Sequence, residues 1–499
     1  MDKNYYITTP IYYPSANPHM GHAYSSIVSD VFARFKKIDG YNVHFLTGTD
    51  EHGQKIQRAS EENNMNPLDF CNKISKTFEN LCNTLNLSNT DFIRTTESRH
   101  KKSVQHLWEM LEKSGDIYLS KYSGWYSVSD EAFYNENEIE TKNEFKVSIV
   151  SGSKVEWVEE ESYFFKLSKW QNKLLKYYEA NPNFILPESR KNEVVSFVKS
   201  GLKDLSVSRK SFSWGIQVPS NKDHVIYVWL DALTNYISSL KYPDTSNPLY
   251  KNFWPADVHI IGKDILRFHA VYWPAFLLAA NIPLPKRIYG HGWILSGEQK
   301  MSKSKGNILD PIEIIDNYGL DPLRYYLIKE VSFGNDGNIS KEKLEECINS
   351  DLANNYGNFC QRVTAFAEKN CNSKIPELVN FMEQDKKILD NFSNNLNNLR
   401  NYIDQQKLNS YVEFIINSLF DANKYFNDEE PWNKKKDKKR LNTIVYTSLE
   451  LIRKISIMLY PIIPSSSKKS LEVFNIKEKD ITFESIKENT YLKSNDKIS

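Results

Sequence analysis

Two histidines stand three residues apart with a glycine between them, His19 and His22 around Gly21. They open an apolar-periodic segment, where the first free N–H groups and the positive end of the helix dipole attract a phosphate. Gly21 lets the backbone come close to a ligand, and imidazoles can donate hydrogen bonds to phosphate oxygens. A capped helix start with two surface histidines is the plainer reading of those residues alone. Far down the chain, Lys300, Ser302 and Lys303 lie in GEQKMSKSKGN, where three lysines fall within six residues between Gly297 and Gly306. That composition suits a loop closing on a polyphosphate, or else a solvated basic loop. A third cluster, Asp50-Glu51-His52, follows an apolar run. Three consecutive side chains do not easily converge on one metal ion, so its chemistry is that of carboxylates at a strand end.

These residues need a scaffold. Tyr5–Tyr13 is β-branched and aromatic and stops at Pro14, which reads as a buried strand. Ala23, Ile27, Val31 and Phe35 recur at helical spacing up to Gly40. Val43–Leu46 reads as a second strand that delivers Asp50 beyond its carboxyl end, where open α/β sheets bind ligands. Residues 67–115 read as helical. From Asp116 short aromatic strands alternate with polar turns, and Leu174–Arg209 returns to helix with breaks at prolines. His224–Leu240 and Asp257–Ile282 resume the strand–helix alternation of a parallel sheet. Within the latter, IIGKD lacks the arrangement of a phosphate-binding P-loop. From Ser340 onward four long amphipathic patterns predict a helical bundle, and the tail from Pro461 reads as a last helix with a frayed end.

Composition bounds the rest. The chain has 499 residues, enough for about three domains, with a formal net charge of +1, so any nucleic acid must be held by local patches. The N-terminus lacks the apolar core of a signal peptide, and the longest apolar run, Val271–Ala280, is too short to span a bilayer. Five cysteines form no CxxC pair and fit reduced thiols. A cytoplasmic, multidomain protein without membrane contact is expected.

Taken together and in this order, His19-Met20-Gly21-His22 and Lys300–Ser304 resemble the paired signatures of class I aminoacyl-tRNA synthetases. The residues between and beyond them resemble the methionyl-tRNA synthetases almost end to end. The resemblance implies a Rossmann-like parallel-sheet catalytic domain split by a connective insertion and followed by an α-helical anticodon-binding bundle. Its expected limits are 1–115 and 224–322 for the catalytic halves, 116–223 for the insertion with its linking helices, 323–345 for a stem-contact linker and 346–499 for the bundle. It also implies ATP-dependent attachment of L-methionine to tRNA(Met), initiator tRNA included, through a methionyl-adenylate. His19, His22, Lys300 and Lys303 would neutralise charge on the departing pyrophosphate, with Gly21 and Ser302 completing the ATP site and Mg2+ arriving with ATP.

For methionine the family pattern points to Asp50 as the partner of the α-ammonium. Ile11, Tyr13, Trp229, Ala232, Leu233, Tyr236, Ile265, His269 and Trp273 would wall the side chain, the last three at i, i+4 and i+8 of one helix face. Leu233 stands where some members carry proline. For the anticodon the matching positions are Asn358 and Arg362, four apart on a helix, and Trp432, just before a run with six basic residues in seven. Many members carry a zinc knuckle in the insertion, but here Trp125-Tyr126-Ser127-Val128-Ser129-Asp130 replaces the cysteine pattern, and no cysteine occurs between Cys82 and Cys347. No structural zinc is expected, and the insertion must rely on an aromatic core. No C-terminal tRNA-binding dimerisation domain is evident, which favours a monomer. A non-catalytic tRNA-binding paralogue and a synthetase for another small apolar amino acid remain the alternatives.

Overall fold

The structure, a computed structural model, describes residues 3–15, 17–142, 144–296 and 309–498, with Tyr122 by its backbone alone, plus the backbone alone of Gln299 and Lys300. The chain divides into two compact units, one of Asn4–Pro18 and His44–His291, the other of Met1–Lys3, His19–Val43 and Gly292–Ser499.

The first unit is built on a six-stranded parallel sheet. Its order is β3 (Asp91–Arg94), β2 (Asn42–Thr49), β1 (Asn4–Tyr12), then the strands Val258–Gly262, Ile288–His291 and Ile185–Leu186. β1 is buried along most of its length, as its tyrosines, isoleucines and threonines demand. Tyr6 anchors it twice: its N–H donates to Asp257 Oδ2 at 2.7 Å and its hydroxyl to Tyr236 O at 2.7 Å. A continuous apolar core that includes Trp108, Phe165, Trp170, Tyr178, Phe276 and Ile288 belongs to this unit. Full burial of such side chains is worth about 1.5–3 kcal/mol each.

Several expectations need correcting. The stretch 67–115 is not all helix, because β3 lies between the helices Pro67–Thr84 and Ser98–Lys113. Leu174–Arg209 is likewise interrupted: Ile185–Leu186 is a strand of the parallel sheet, paired with Ile288 and Tyr289. Residues 224–226 do not rejoin that sheet. They end the strand Asn221–Ile226, which pairs antiparallel with Ser208–Arg209 and Gln217–Val218 in a separate three-stranded sheet. Nor is 263–279 one α-helix. A 3-10 turn at Lys263–Ile265 precedes a π-helical segment, Phe268–Tyr272, and only then the α-helix Trp273–Ala279. The wider π turn changes the angular step, so Ile265, His269 and Trp273 do not share a regular α-helical face.

In the insertion, Ile117–Ser127 and Glu156–Phe165 form a long antiparallel pair. Aromatic pairs line it, with Tyr126 against Phe133 at 5.0 Å and Trp125 against Trp157 at 5.1 Å between ring centroids. A polar knot supplements them: Asp130 accepts from Tyr134 at 2.8 Å, Ser151 at 2.5 Å and Ser153 at 2.7 Å.

The second unit contains α1 (Met20–Ile38) and the C-terminal helices. α1 is buried on nearly every side rather than along one stripe, and it carries its polar residues in as pairs. Asp30 accepts from Arg34 Nε and from Arg324 Nη2, both at 2.7 Å. The four long helical patterns form at Lys341–Asn370 (with a π-helical stretch at Ile348–Gly357), Glu383–Asp404, Leu408–Asp428 and Lys438–Leu459. The last is not amphipathic. Its residues are almost all buried, because the tail expected to fray instead packs along it. After the helix Pro464–Glu472, Tyr446 donates to Leu492 O at 2.6 Å, Leu492 N–H donates to Glu450 at 2.7 Å and Arg453 donates to Glu488 O at 2.8 Å.

Candidate active site

His19 is the N-cap of α1, and each histidine of the pair is tied to the backbone of the helix start. His19 Nδ1 accepts from Gly21 N–H at 3.1 Å, while His22 Nδ1 accepts from His19 N–H at 3.0 Å. Since both Nδ1 atoms accept, each ring carries its proton on Nε2 in the neutral form. The rings lie 3.8 Å apart between centroids, His19 exposed and His22 half-buried. A Cβ at residue 21 would stand 2.9 Å from His19 Cε1, so a side chain there would displace the ring. The start of this helix is therefore a pair of imidazole N–H donors at the positive end of a dipole, suited to an anionic ligand. Of the distant lysine loop, Lys300 is described by its backbone alone, pairing with Leu295. Ser302 and Lys303 lie outside the described residues.

The sheet unit holds the second group. Asp50 follows β2 directly, its N–H donating to Tyr12 O at 2.9 Å where β1 ends. The carboxyl group is buried, and its Oδ1 has no hydrogen-bond partner among the described residues. Burial, then the carboxylates of Asp231 and Glu131, hold its pKa well above the ordinary range. Burial, with Asp50 as the next cause, pushes the Tyr13 hydroxyl up as well. A buried carboxylate without a counter-charge is costly, and a cation is the kind of group that would offset the cost.

The aromatic residues singled out in the sequence are gathered around two helical segments of this unit. Trp229, Ala232 and Leu233 lie on the helix Val228–Leu233 and Tyr236 just beyond it, all buried. His269 is clamped by both nitrogens: Nδ1–H donates to Ile265 O at 3.0 Å, so Nε2 accepts from Tyr236 Oη at 2.6 Å. Burial lowers its pKa to about 4, and the ring is neutral at physiological pH. Tyr236 also lies 6.1 Å from Trp273 between centroids, and Trp229 stacks on Phe268 at 3.8 Å and 6°. Ile11, Tyr13 and Ile265 are half-buried against the same core. The indole N–H groups of Trp229 and Trp273 find no acceptor among the described residues. Phe268 is a residue the sequence reading passed over, although it stands directly beside His269.

The residues expected to read RNA also come together. Arg362 donates to Asn427 Oδ1 at 2.5 Å and lies 5.5 Å over the Phe426 ring. Trp432 meets Phe426 edge-on at 6.2 Å and is 40% exposed, against 2% for Phe426. Asn358 is exposed one turn before Arg362. A partly exposed indole propped on a buried ring, beside a guanidinium, is the form of a platform for an unstacked base. Phe426 and Asn427 had no motif to announce them. Among the described residues no group of three or more His, Cys, Asp or Glu is placed to hold a metal ion, and no helix is long and apolar enough to cross a membrane.

The family described as class I tRNA synthetases (M) matches residues 5–145 and 141–364, and the anticodon-binding domain of methionyl-tRNA ligase matches 375–497. The chain is 52% identical to the methionine–tRNA ligase of Rickettsia felis, over 97% of this chain and 94% of the relative. It is 49% identical to that of Brucella suis, over 95% and 92%. The Mycobacterium tuberculosis methionyl-tRNA synthetase solved with methionyl-adenylate superposes with a TM-score of 0.97 at 44% identity, covering 99% of this chain and 98% of that one.

Proposed function

Because the chain belongs to the methionyl-tRNA synthetases of class I, we infer that it joins L-methionine to tRNA in two steps driven by ATP. The methionine carboxylate attacks the α-phosphorus, the bond to the β-phosphate breaks, and pyrophosphate leaves methionyl-adenylate behind. A ribose hydroxyl at the tRNA 3′ end, the 2′-hydroxyl in class I chemistry, then takes the methionyl group and AMP departs. A carboxylate is ionised at neutral pH, so the first step needs no general base. It needs alignment and donors for charge that builds on the pyrophosphate.

We assign those donors to His19 and His22, whose Nδ1 atoms are engaged by backbone N–H groups, and to Lys300 and Lys303, with Gly21 and Ser302 in the ATP site. Mg2+ favours substrate phosphates and water over an all-protein cage, and it enters with ATP. Asp50 takes the substrate ammonium, while Ile11, Tyr13, Trp229, Ala232, Leu233, Tyr236, Ile265, His269 and Trp273 wall the thioether. Asn358, Arg362 and Trp432 read the anticodon, of initiator and elongator tRNA alike. The catalytic halves are 1–115 and 224–322, the insertion 116–223, the linker 323–345 and the anticodon domain 346–499. The enzyme works as a monomer in the cytoplasm.

The single observation that carries this reading is Asp50: a buried carboxylate with an oxygen unpartnered among the described residues, in the unit that holds the aromatic wall. ATP–pyrophosphate exchange tests it. Exchange should depend on methionine and on no other amino acid at comparable concentration; exchange indifferent to methionine would overturn it.

A further inference from the structure

The turn that carries Asp50 sends its next two side chains into separate buried networks. Glu51 accepts from Arg94 at 2.6 and 3.0 Å, from Ser75 at 2.5 Å and from Thr49 at 2.8 Å. His52 turns the other way, its Nδ1 2.7 Å from Asp231 Oδ2. The second oxygen of Asp231 is 2.7 Å from His100 Nε2, and His100 Nδ1 is 2.9 Å from Ser238 Oγ. All three members of this His–Asp–His chain are buried, and the two imidazoles hold the Asp231 carboxyl at about 2 against the opposing effect of burial. An ionised Asp231 only accepts, so both histidines donate to it, and two donors on two oxygens fix the plane of the carboxylate.

Asp231 sits on the helix Val228–Leu233, between Trp229 and Ala232. The chain therefore links the turn of Asp50 to the helix that bears the pocket wall, through residues 179 apart in sequence. Apolar packing could fill the same space at similar stability, but would not specify one angle. We propose that His52, Asp231 and His100 are positioning residues for methionine: they set the aim of Asp50 at the substrate ammonium relative to the wall that holds the thioether. The proposal rests on the assignment of Asp50 made above.

Exchange kinetics on His52→Leu, His52→Asn and Asp231→Asn test it. His52→Leu removes the donor and should raise KM for methionine about tenfold or more, leaving KM for ATP within about twofold. His52→Asn places an amide N–H near the position of Nδ1 and should recover most of the loss. 4-(Methylthio)butanoate, methionine without its amine, reports on the wall alone, and its inhibition constant should not change in His52→Leu. Unchanged KM for methionine, or parallel weakening of ATP, methionine and the deaminated acid, would overturn the proposal. Asp231→Asn keeps volume and one acceptor; should His52→Leu not fold, this variant decides, with a rise in KM for methionine of about fivefold or more expected and no rise contradicting. Wild-type exchange indifferent to methionine would instead remove the reading of the reaction itself.

Discussion

The helical unit and the sheet unit both bury carboxylates and pair several of them, and Asp50 of the sheet unit can be set against those pairs. In the helices Asp385 receives both arms of Arg440, at 2.6 and 2.9 Å, and the Tyr425 hydroxyl at 2.6 Å. Glu450 is paired with Arg453 at 2.6 Å, and Asp30 with two arginines. In the sheet unit Glu51 is satisfied in the same manner by Arg94, and burial is outweighed so that its pKa falls below the usual range. One residue earlier, Asp50 has an oxygen without a partner among the described residues, and the opposite shift. One turn thus pairs a buried charge at residue 51 and leaves an oxygen of residue 50 without a partner among the described residues, which supports the proposal that Asp50 meets a ligand. A bare oxygen alone does not mark a site, since Asp321 Oδ1 in the helical unit also lacks a partner among the described residues; Asp50 adds to it a pKa raised by burial and by the Asp231 and Glu131 carboxylates.

The sharpest way to break that contrast is to strand a paired carboxylate in the helices. Arg440→Leu strands Asp385, and loss of one partner of a buried pair should cost about 3–5 kcal/mol. Denaturant unfolding should register that loss, while exchange per folded molecule stays at the wild-type level. On the catalytic side the charge in question grows only during reaction. Lys303→Ala should slow single-turnover adenylate formation by about a hundredfold, roughly 3 kcal/mol, with methionine affinity nearly unchanged. An unchanged rate would remove the lysine from the chemistry.

Trp432 is exposed on the helical unit, as Phe420 is, but it is the ring that lies against Phe426 beside Arg362. Trp432→Ala should lower kcat/KM for tRNA by about tenfold to a hundredfold and leave exchange intact, since stacking is worth about 1–3 kcal/mol per base. If both activities fall together, the ring is supporting the fold. The smallest effect concerns metal. Purified protein should contain no stoichiometric zinc, and chelation short of stripping Mg2+ from ATP should leave thermal unfolding where it was. Stoichiometric zinc would show a site built from histidines and carboxylates.

Much of this was legible in the chain because it is local. His19, Gly21 and His22 cap the helix whose periodicity follows them, and Asp50 ends the strand that precedes it. Trp229, Ala232, Leu233 and Tyr236 fall within eight residues. What escaped was either too short or too distant to leave a pattern. Asp91–Arg94 is a four-residue strand with charge at both ends, and Ile185–Leu186 has only two residues, so neither can display alternation. The π-helical turn at Phe268–Tyr272 looks helical in sequence, yet its wider step spoils the expected i, i+4, i+8 face. His100 meets Asp231 across 131 residues, a contact that no spacing foretells. The last long helix reads as amphipathic from its charged residues, whereas the tail buries and pairs them.

Asp50→Asn puts the contrast between the two carboxylates to its most direct test. A carboxyl whose folded pKa is raised contributes most to stability below its unfolded pKa, and that contribution is lost as pH rises through the folded value. At neutral pH the empty wild-type protein therefore carries a penalty that the amide removes. Thermal unfolding at pH 7 should be measured for both proteins, with and without saturating methionine. The expected result is an empty variant that melts no lower than wild type, a clear upward shift with methionine in wild type, and none in the variant. A variant that melts well below wild type, and is still stabilised by methionine to the same extent, would show that Asp50 is architecture and that the ammonium is held elsewhere.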